Sequence, residues 1–505
     1  MRAAWRAADI RAAEERLIAT LPKFTLMRRA AAGLARRCAA LLEDGPGVYG
    51  SRVLLLVGAG NNGGDALFAG ALLARRGAAV RALLLAPDKA HPPALAAFRR
   101  AGGRVATGLS TMDRDARSTV DMVLDGIVGI GARGALRGLA AEAVEALAGL
   151  TPRPIVVSVD VPSGVDVDSG AVEGPAVSAD VTVTFGCLKP ALVVGPAAPL
   201  AGQVDVVDIG LPWLDAPPVV WVPDLADVAR WWPSRQVNSD KYTRGVAGLA
   251  TGSMAFPGAA LLSTSGALAG PSGMVRYAGV IADDVSRAHP SVVVARRVAD
   301  AGRVQAWLCG CGLGTDDHAR DELRAVLGSS VPIVLDADAL TLLGDHGLAG
   351  RLRDRDAPTV VTPHDREFAR IAGDQVGPDR LAAAKQLAAT LNVTVLLKGD
   401  RTVVASSDGT AWANPTGSPV LATAGTGDVL GGLLVSLLAA GLPADRAAIS
   451  AAFVHGLAGR RAATAGSTAG AIGGAGPGLT GPVTAPDVAA ALPLVIGSLA
   501  RATGG

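Results

Sequence analysis

Apolar residues along this chain fall into two kinds of run. Short, nearly unbroken ones, most of them stopping at glycine or a carboxylate, are Val53–Val57, Val80–Leu85, Met122–Asp125, Ile155–Asp160, Val181–Phe185 and Val204–Ile209, then Val304–Cys309, Ile333–Leu335, Thr359–Thr362 and Val393–Leu397. Runs of this length, rich in Val, Ile and Leu, predict strands buried on both faces. Between them lie Ala- and Leu-rich stretches with apolar positions at i, i+3 and i+4. These predict helices, as over residues 1–44 with a break at Pro22, and over Asp321–Leu327. Strands alternating with helices imply an α/β chain of doubly wound, mainly parallel sheets. Ligands of such sheets bind at the carboxyl ends of the strands, where this sequence concentrates its polar residues.

The length, 505 residues, exceeds what one core supports. Residues 211–240 break the alternation. Leu211-Pro212-Trp213, Pro217-Pro218 and Trp231-Trp232-Pro233 read as an ordered connector whose tryptophans anchor on a domain. The expected division is therefore a first domain over 1–215, a connector over 216–234 and a second domain over 235–505. Gly466–Gly481, rich in Gly, Ala and Ser, reads as a mobile surface loop.

Composition narrows the classes. A net charge of +2 without a basic block argues against nucleic acid as a partner. Only six of the 47 basic residues are lysine, which fits the codon bias of a GC-rich genome. Cys38, Cys187, Cys309 and Cys311 contain no CxxC pair and read as buried free thiols in a reducing, cytoplasmic compartment. The N-terminus alternates Arg, Ala and Glu with no apolar core of a signal peptide. The longest uncharged apolar run, after Asp428, is broken by Gly and Pro443, so no membrane association is expected.

The densest chemistry is Ala424-Gly425-Thr426-Gly427-Asp428, feeding the apolar run Val429–Leu442. A loop entering a helix presents unpaired N–H groups suited to phosphate, and Asp428 sits where a carboxylate could take a hydroxyl proton. A helix merely capped by Asp would read the same. Upstream, strand ends carry Gly310-Cys311-Gly312-Leu313-Gly314, Thr362-Pro363-His364-Asp365-Arg366-Glu367-Phe368 and Lys398-Gly399-Asp400-Arg401-Thr402. In this order and spacing, over about residues 235–495, they resemble the ADP/ATP-dependent NAD(P)H-hydrate dehydratases, a branch of the ribokinase-like fold. The resemblance implies that Ala259, Gly312, His364 and Asp428 contact the hydrate, with Asp428 catalytic. It also implies that Lys398, Gly399, Asp400, Arg401, Thr402 and Gly427 contact the adenine nucleotide. His91, His289, His318, His346 and His455 have no such context.

In the first domain, Gly58-x-Gly60-x-x-Gly63 fits a dinucleotide fingerprint, but the acid expected about 20 residues on is represented only by Asp88, beyond the strand end. A plain NAD-dependent oxidoreductase is therefore disfavoured. Asn62 and Ser163 with the single carboxylate of Asp125 make an oxygen set of low charge, suited to a monovalent cation. The Asn61–Asp65 loop, the segment Asp125–Ala135 and the segment Ser158–Asp166 together resemble the NAD(P)H-hydrate epimerase domain over about residues 1–215. That resemblance implies a Rossmann-like fold and hydrate contacts from Asn61, Asn62, Gly63, Gly64, Asp65, Gly129, Ile130, Gly131, Ala132, Arg133, Gly134, Ala135 and Asp160. It further implies K⁺ held by Asn62, Asp125 and Ser163, with Asp160 as the acid/base. Two departures stand out: Ala66, where glycine is usual, and Gly126-Ile127 after Asp125. Ala66 is expected to narrow the loop's approach to the ligand.

The two resemblances imply a repair enzyme for damaged nicotinamide cofactors. One domain epimerises the R and S hydrates and the other dehydrates the S form using ADP, with Mg²⁺ accompanying the nucleotide. A homo-oligomer is expected. The alternative is a ribokinase-like small-molecule kinase fused to a ligand-binding Rossmann-like domain.

Overall fold

The computed structural model describes residues 1–106, 108–109, 120–131, 133–212, 214–234, 239–344, 348–465 and 481–502. Ala132, Arg235 and nearly all of the Gly466–Gly481 stretch lie outside them. The chain forms two compact units, Arg2–Val220 and Trp221–Gly505, the latter joined by Met1.

The first unit carries helices α1 (Ala7–Ile18) and α2 (Thr25–Glu43), then β1 (Arg52–Val57), α3 (Asn61–Arg75), β2 (Ala79–Leu84), α4 (Pro92–Arg100), β3 (Arg104–Ala106), β4 (Met122–Gly126), β5 (Ile155–Val159), β6 (Val181–Phe185) and β7 (Gln203–Val207). The sheet order is β3-β2-β1-β4-β5-β6-β7, parallel throughout. β4 is buried at every position, as a central strand covered on both faces must be. From β1 the chain winds outward through β2 and β3, then returns to place β4 on the other side of β1. The sheet therefore changes direction between β1 and β4, and a crevice opens at their carboxyl ends. Register sets Leu56 beside Asp125, and Asp125 beside Ser158.

The two departures in this unit meet each other. Ala66 is fully buried on α3, and a Cβ built on Gly126 would lie 2.5 Å from the Ala66 Cβ. Ala66 thus packs against the carboxyl end of β4.

The second unit's sheet contains β8 (Val246–Ala250), β9 (Met274–Ala278), β10 (Val293–Ala295), β11 (Ala306–Cys309), β12 (Ile333–Leu335), β13 (Thr359–Val361), β14 (Thr394–Leu397), β15 (Val403–Ala405) and β16 (Ala411–Ala413), in the order β16-β15-β14-β13-β12-β11-β8-β9-β10, and the short strand Val220–Val222 pairs in parallel beyond β16, Trp221 beside Trp412. Strands β8 to β14 pair in parallel. β15 and β16 add an antiparallel extension, which three-residue strands give too little periodicity to foretell. The winding again reverses, here between β8 and β11.

The helices that matter for the site are α5 (Pro257–Ala269), α6 (Asp365–Ala372) and α7 (Thr426–Ala439). α5 and α7 cross backbone to backbone. A Cβ on Gly266 would run into the Val429 carbonyl, and one on Gly432 into that of Ser263. Residues 221–234 are not aperiodic: Leu225–Trp231 is a helix opened by an Asp224–Asp227 capping box. Trp231 stacks edge-on against Trp412 at 5.3 Å. Among the described residues no helix is long and apolar enough to cross a membrane. All four cysteines are buried free thiols.

The contact between α3 and β4 yields a test by a double-mutant cycle. Gly126→Ala alone should destabilise the first unit by about 1–3 kcal/mol through overpacking, whereas Ala66→Gly with Gly126→Ala should recover most of that loss. Denaturant unfolding of the parent, both single variants and the pair measures the coupling, and strictly additive effects would contradict the contact.

Candidate active sites

In the first unit the loop after β1 becomes the opening turn of α3, so Asn61, Asn62, Gly63, Gly64 and Asp65 lie along one helix start. The loop after β4 crosses beside them. A Cβ on Gly129 would sit 2.8 Å from Asn62 Oδ1, so the close approach needs glycine. Arg11 of α1 donates from Nη2 to the Ile130 carbonyl at 3.1 Å and lies against Gly131. Ala135 packs against Gly174.

Two buried polar atoms here have no hydrogen-bond partner, Asn62 Nδ2 and Asp65 Oδ1. Such atoms carry an appreciable desolvation cost unless a ligand or water meets them. Burial pushes the Asp65 carboxyl well above its ordinary range, and the charges of Asp160 and Glu14 push the same way. Glu14, on α1, is also raised by burial, against the opposing pull of Lys189.

Asp125 is fully buried. It accepts from Ser158 Oγ at 2.8 Å, Ser163 Oγ at 2.6 Å and Ser163 N at 2.8 Å. Burial raises its pKa, the hydrogen bonds from Ser163 and Ser158 counteract, and among the described residues no basic side chain pairs with it. Asp160 follows β5 and accepts from Lys189 Nζ at 2.6 Å.

Lys189 and Glu14 were not singled out by the sequence. For Lys189 a signal existed: in a chain that otherwise writes arginine, a lysine directly after an apolar strand end is worth noticing. Glu14 had none, because α1 carries acids and bases on its exposed face. His91, assigned nothing, caps α4 and packs against Gly64.

The second unit builds its site from five strand ends. Gly425 caps α7 with φ 87°, a left-handed conformation that favours glycine, and Asp428 sits in the first turn. Asp428 is not the lone acid its sequence surroundings suggest. Asp336 follows β12, Glu367 lies on α6, and Lys398 at the end of β14 binds them at 2.7 and 3.5 Å. The Cys311 thiol reaches Asp336 Oδ2 at 3.6 Å. Residues so far apart in sequence converge only because parallel strands bring their carboxyl ends to one edge.

Burial raises Asp428 to about 6, Asp336 adds to that, and Cys311 and Lys398 oppose it. For Lys398 burial acts downward, yet the charges of Asp336 and Glu367 leave its ammonium above the ordinary lysine value. Gly427 lies next to Lys398 Nζ, and Gly312 lies against Ala259 and Phe256.

His364 caps α6. Its Nδ1 accepts from the Arg366 and Glu367 amides, and its Nε2 stands 3.4 Å from Glu367 Oε1. Lys398 O accepts from Arg380, Thr402 Oγ1 donates to Gly399 O, Asp400 O abuts Gly417, and Arg401 donates to Pro415 O. Residues 398–402 and 415–417 therefore form one tied pair of loops beside the α7 N-terminus. The arrangement supplies backbone donors for phosphate, a fixed cation and a carboxylate able to accept a proton near neutrality.

A family model described as NAD(P)H-hydrate dehydratase matches residues 247–483, and one described as YjeF-related protein N-terminus matches residues 23–191. The chain is 48% identical over 441 residues to the bifunctional NAD(P)H-hydrate repair enzyme of Mycobacterium tuberculosis, covering 87% of this chain and 89% of that one. It is 37% identical over 487 residues to the enzyme of the same description from Corynebacterium glutamicum, covering 82% of this chain and 83% of that one. Among solved structures, an ADP/ATP-dependent NAD(P)H-hydrate dehydratase from Bacillus subtilis, co-crystallised with ATP/Mg²⁺, is 28% identical with a TM-score of 0.46, covering 55% of this chain and 97% of that one.

The charge network around Asp428 predicts its titration. A ¹³C carboxyl resonance from Asp428 should titrate near pH 6 in the parent. Lys398→Met removes a charge that favours the ionised form, so the midpoint should move upward. A midpoint near 4 in the parent, or a downward move in the variant, would contradict this account.

Proposed function

The chain belongs to the family of bifunctional NAD(P)H-hydrate repair enzymes, and from that premise we propose how its two units divide the reaction. It epimerises the R and S hydrates of NAD(P)H and dehydrates the S form. The first unit performs the epimerisation and the second the dehydration, with ADP as phosphoryl donor.

The observation that carries the second half is Asp428 held near pH 6 at the mouth of an anion-binding helix. The hydrate's hydroxyl leaves poorly from a saturated ring. Asp428 takes its proton as the oxygen attacks the terminal phosphoryl group, and the amides of the α7 N-terminus with Lys398 stabilise the transferring phosphate. AMP leaves in that transfer, the ring nitrogen then expels phosphate to leave an iminium, and loss of the proton on the adjacent ring carbon restores the double bond. Ala259, Gly312 and His364 line the hydrate side, while residues 398–402 and Gly427 hold the nucleotide. Among the described residues no three His, Cys, Asp or Glu side chains group as a metal cage. Mg²⁺ would be held by the nucleotide's own phosphates, where it neutralises charge.

In the first unit the hydrate contacts come from Asn61–Asp65, Gly129–Ala135 and Asp160. Epimerisation at the carbon beside the ring nitrogen can proceed by loss and return of water. The C–O bond breaks as a proton reaches the leaving oxygen, and water adds to the other face as it gives one up. Asp65, whose carboxyl burial pushes toward its protonated form, suits the donor and Asp160 the acceptor, with roles exchanged in reverse. K⁺ fits beside Asn62, Asp125 and Ser163, because Asp125 is a buried carboxyl with four hydrogen-bond donors and no counter-charge. There the ion would supply positive charge that orders the loops.

Two experiments test this reading. Asp428→Asn should abolish ADP-dependent recovery of NAD(P)H absorbance while R-to-S conversion, followed by chromatography, continues. In the reciprocal case, Asp160→Ala should recover the S fraction of a mixture and then stall. Loss of both activities in a folded Asp428→Asn protein would defeat the division, and a side-by-side assay with ATP tests the donor.

For the cation, K⁺ should raise the melting temperature of the parent relative to tetramethylammonium, and Ser163→Ala should lose most of that increment. Equal melting in the two salts would remove the site.

A further inference from the structure

Asp160 is held by a contact whose consequence reaches past its own carboxylate. Its backbone lies at φ 70°, a left-handed conformation that costs a non-glycine residue roughly 1–3 kcal/mol and that the surroundings must enforce. Its Oδ1 accepts three hydrogen bonds, from Thr184 Oγ1 at 3.0 Å, Phe185 N at 3.3 Å and Lys189 Nζ at 2.6 Å. Among the described residues no donor reaches Oδ2.

Lys189 is 1% exposed, and its ammonium makes three bonds: to Asp160 Oδ1, to Thr184 Oγ1 at 2.9 Å and to Phe185 O at 2.9 Å. An ammonium has three donors and no acceptor. All three are used inside the protein, so Lys189 has none to offer a ligand. Whatever it does for the reaction passes through Asp160.

Three other titratable groups share the surroundings of Asp160: Asp65 on α3, Glu14 on α1 and Cys187 on the segment after β6. Where three carboxyls converge in a water-poor crevice, not all can be ionised together. Of the three, it is Asp160 that the Lys189 ammonium bonds directly.

We propose that Lys189 is a positioning residue for epimerisation: it pairs with Asp160, locks Oδ1, and leaves Oδ2 as the one oxygen that exchanges a proton with the hydrate. Thr184 completes the lock by bridging the ammonium and the carboxylate. This rests on the reading of Asp160 as the acid/base of the first unit.

The test uses the full chain without ADP, following S hydrate formed from purified R hydrate. Lys189→Met should lower kcat on the order of 10²-fold with little change in KM. The acidic limb of its kcat/KM profile should move up by a pH unit or more, with partial recovery in alkali. Lys189→Ala should regain activity with added ethylammonium, which a merely structural lysine would not show. A folded Lys189→Met protein with the parent's pH profile overturns the proposal and leaves the role of Asp160 standing. A fully active Asp160→Asn protein removes that role, and the proposal with it. Should the lysine variants fail to fold, Thr184→Val decides: a smaller loss with the limb displaced in the same direction supports the lock, and an unchanged profile overturns it.

Discussion

A carboxylate taken out of water at the end of a strand must find positive charge close by or give up its own. Both units of this chain meet that constraint with one lysine each. In the first, Lys189 is bound to Asp160. In the second, Lys398 is bound to Asp336 and lies near Glu367 and Asp428. Beside each pair lie acids whose proton affinity burial raises, Asp65 in the first unit and Asp428 in the second. Glu14 and Asp125 are raised by burial as well, and the proposed proton transfers fall to Asp65 and Asp428. The chemistry of each site is therefore a consequence of how scarce positive charge is distributed among several acids.

The same topology produces both crevices. A parallel sheet that winds outward, then returns to the other side of its starting strand, leaves an open groove at that reversal. The groove lies between β1 and β4 in the first unit and between β8 and β11 in the second. Glycine allows the backbones to meet there: Gly129 against Asn62, Gly312 against Ala259. No side chain is spent on forming the groove, so the residues at its rim are free to carry the reaction.

Much of this was legible in the sequence. Ten strands were visible as apolar runs, because a parallel strand buried on both faces has no polar alternation to confuse it, whereas β3, β9 and β10 were not read from the sequence. Asn61–Asp65, Asp125 and Asp428 were visible because their loops carry more polar groups than a turn requires. The antiparallel pair β15 and β16 and the helix Leu225–Trp231 were too short to show a period. The partnership of Lys398 with Asp336 was invisible for a different reason: those residues are 62 positions apart and meet only when the sheet is formed. His364 was expected at a mouth, and the structure gives it in addition the cap of α6, a local role that its place before Asp365 could have suggested.

The packing of Ala66 on Gly126 bears on how such a chain can change over time. One methyl group's volume is shared between a helix and a strand, and either element can hold it. A protein with the methyl on both elements has a collision, whereas one with it on neither has a small void, which proteins tolerate better. A lineage moving the methyl from strand to helix, or back, is therefore steered through the void first. The order of the two substitutions is set by steric volume in either direction, and this chain holds the methyl on the helix.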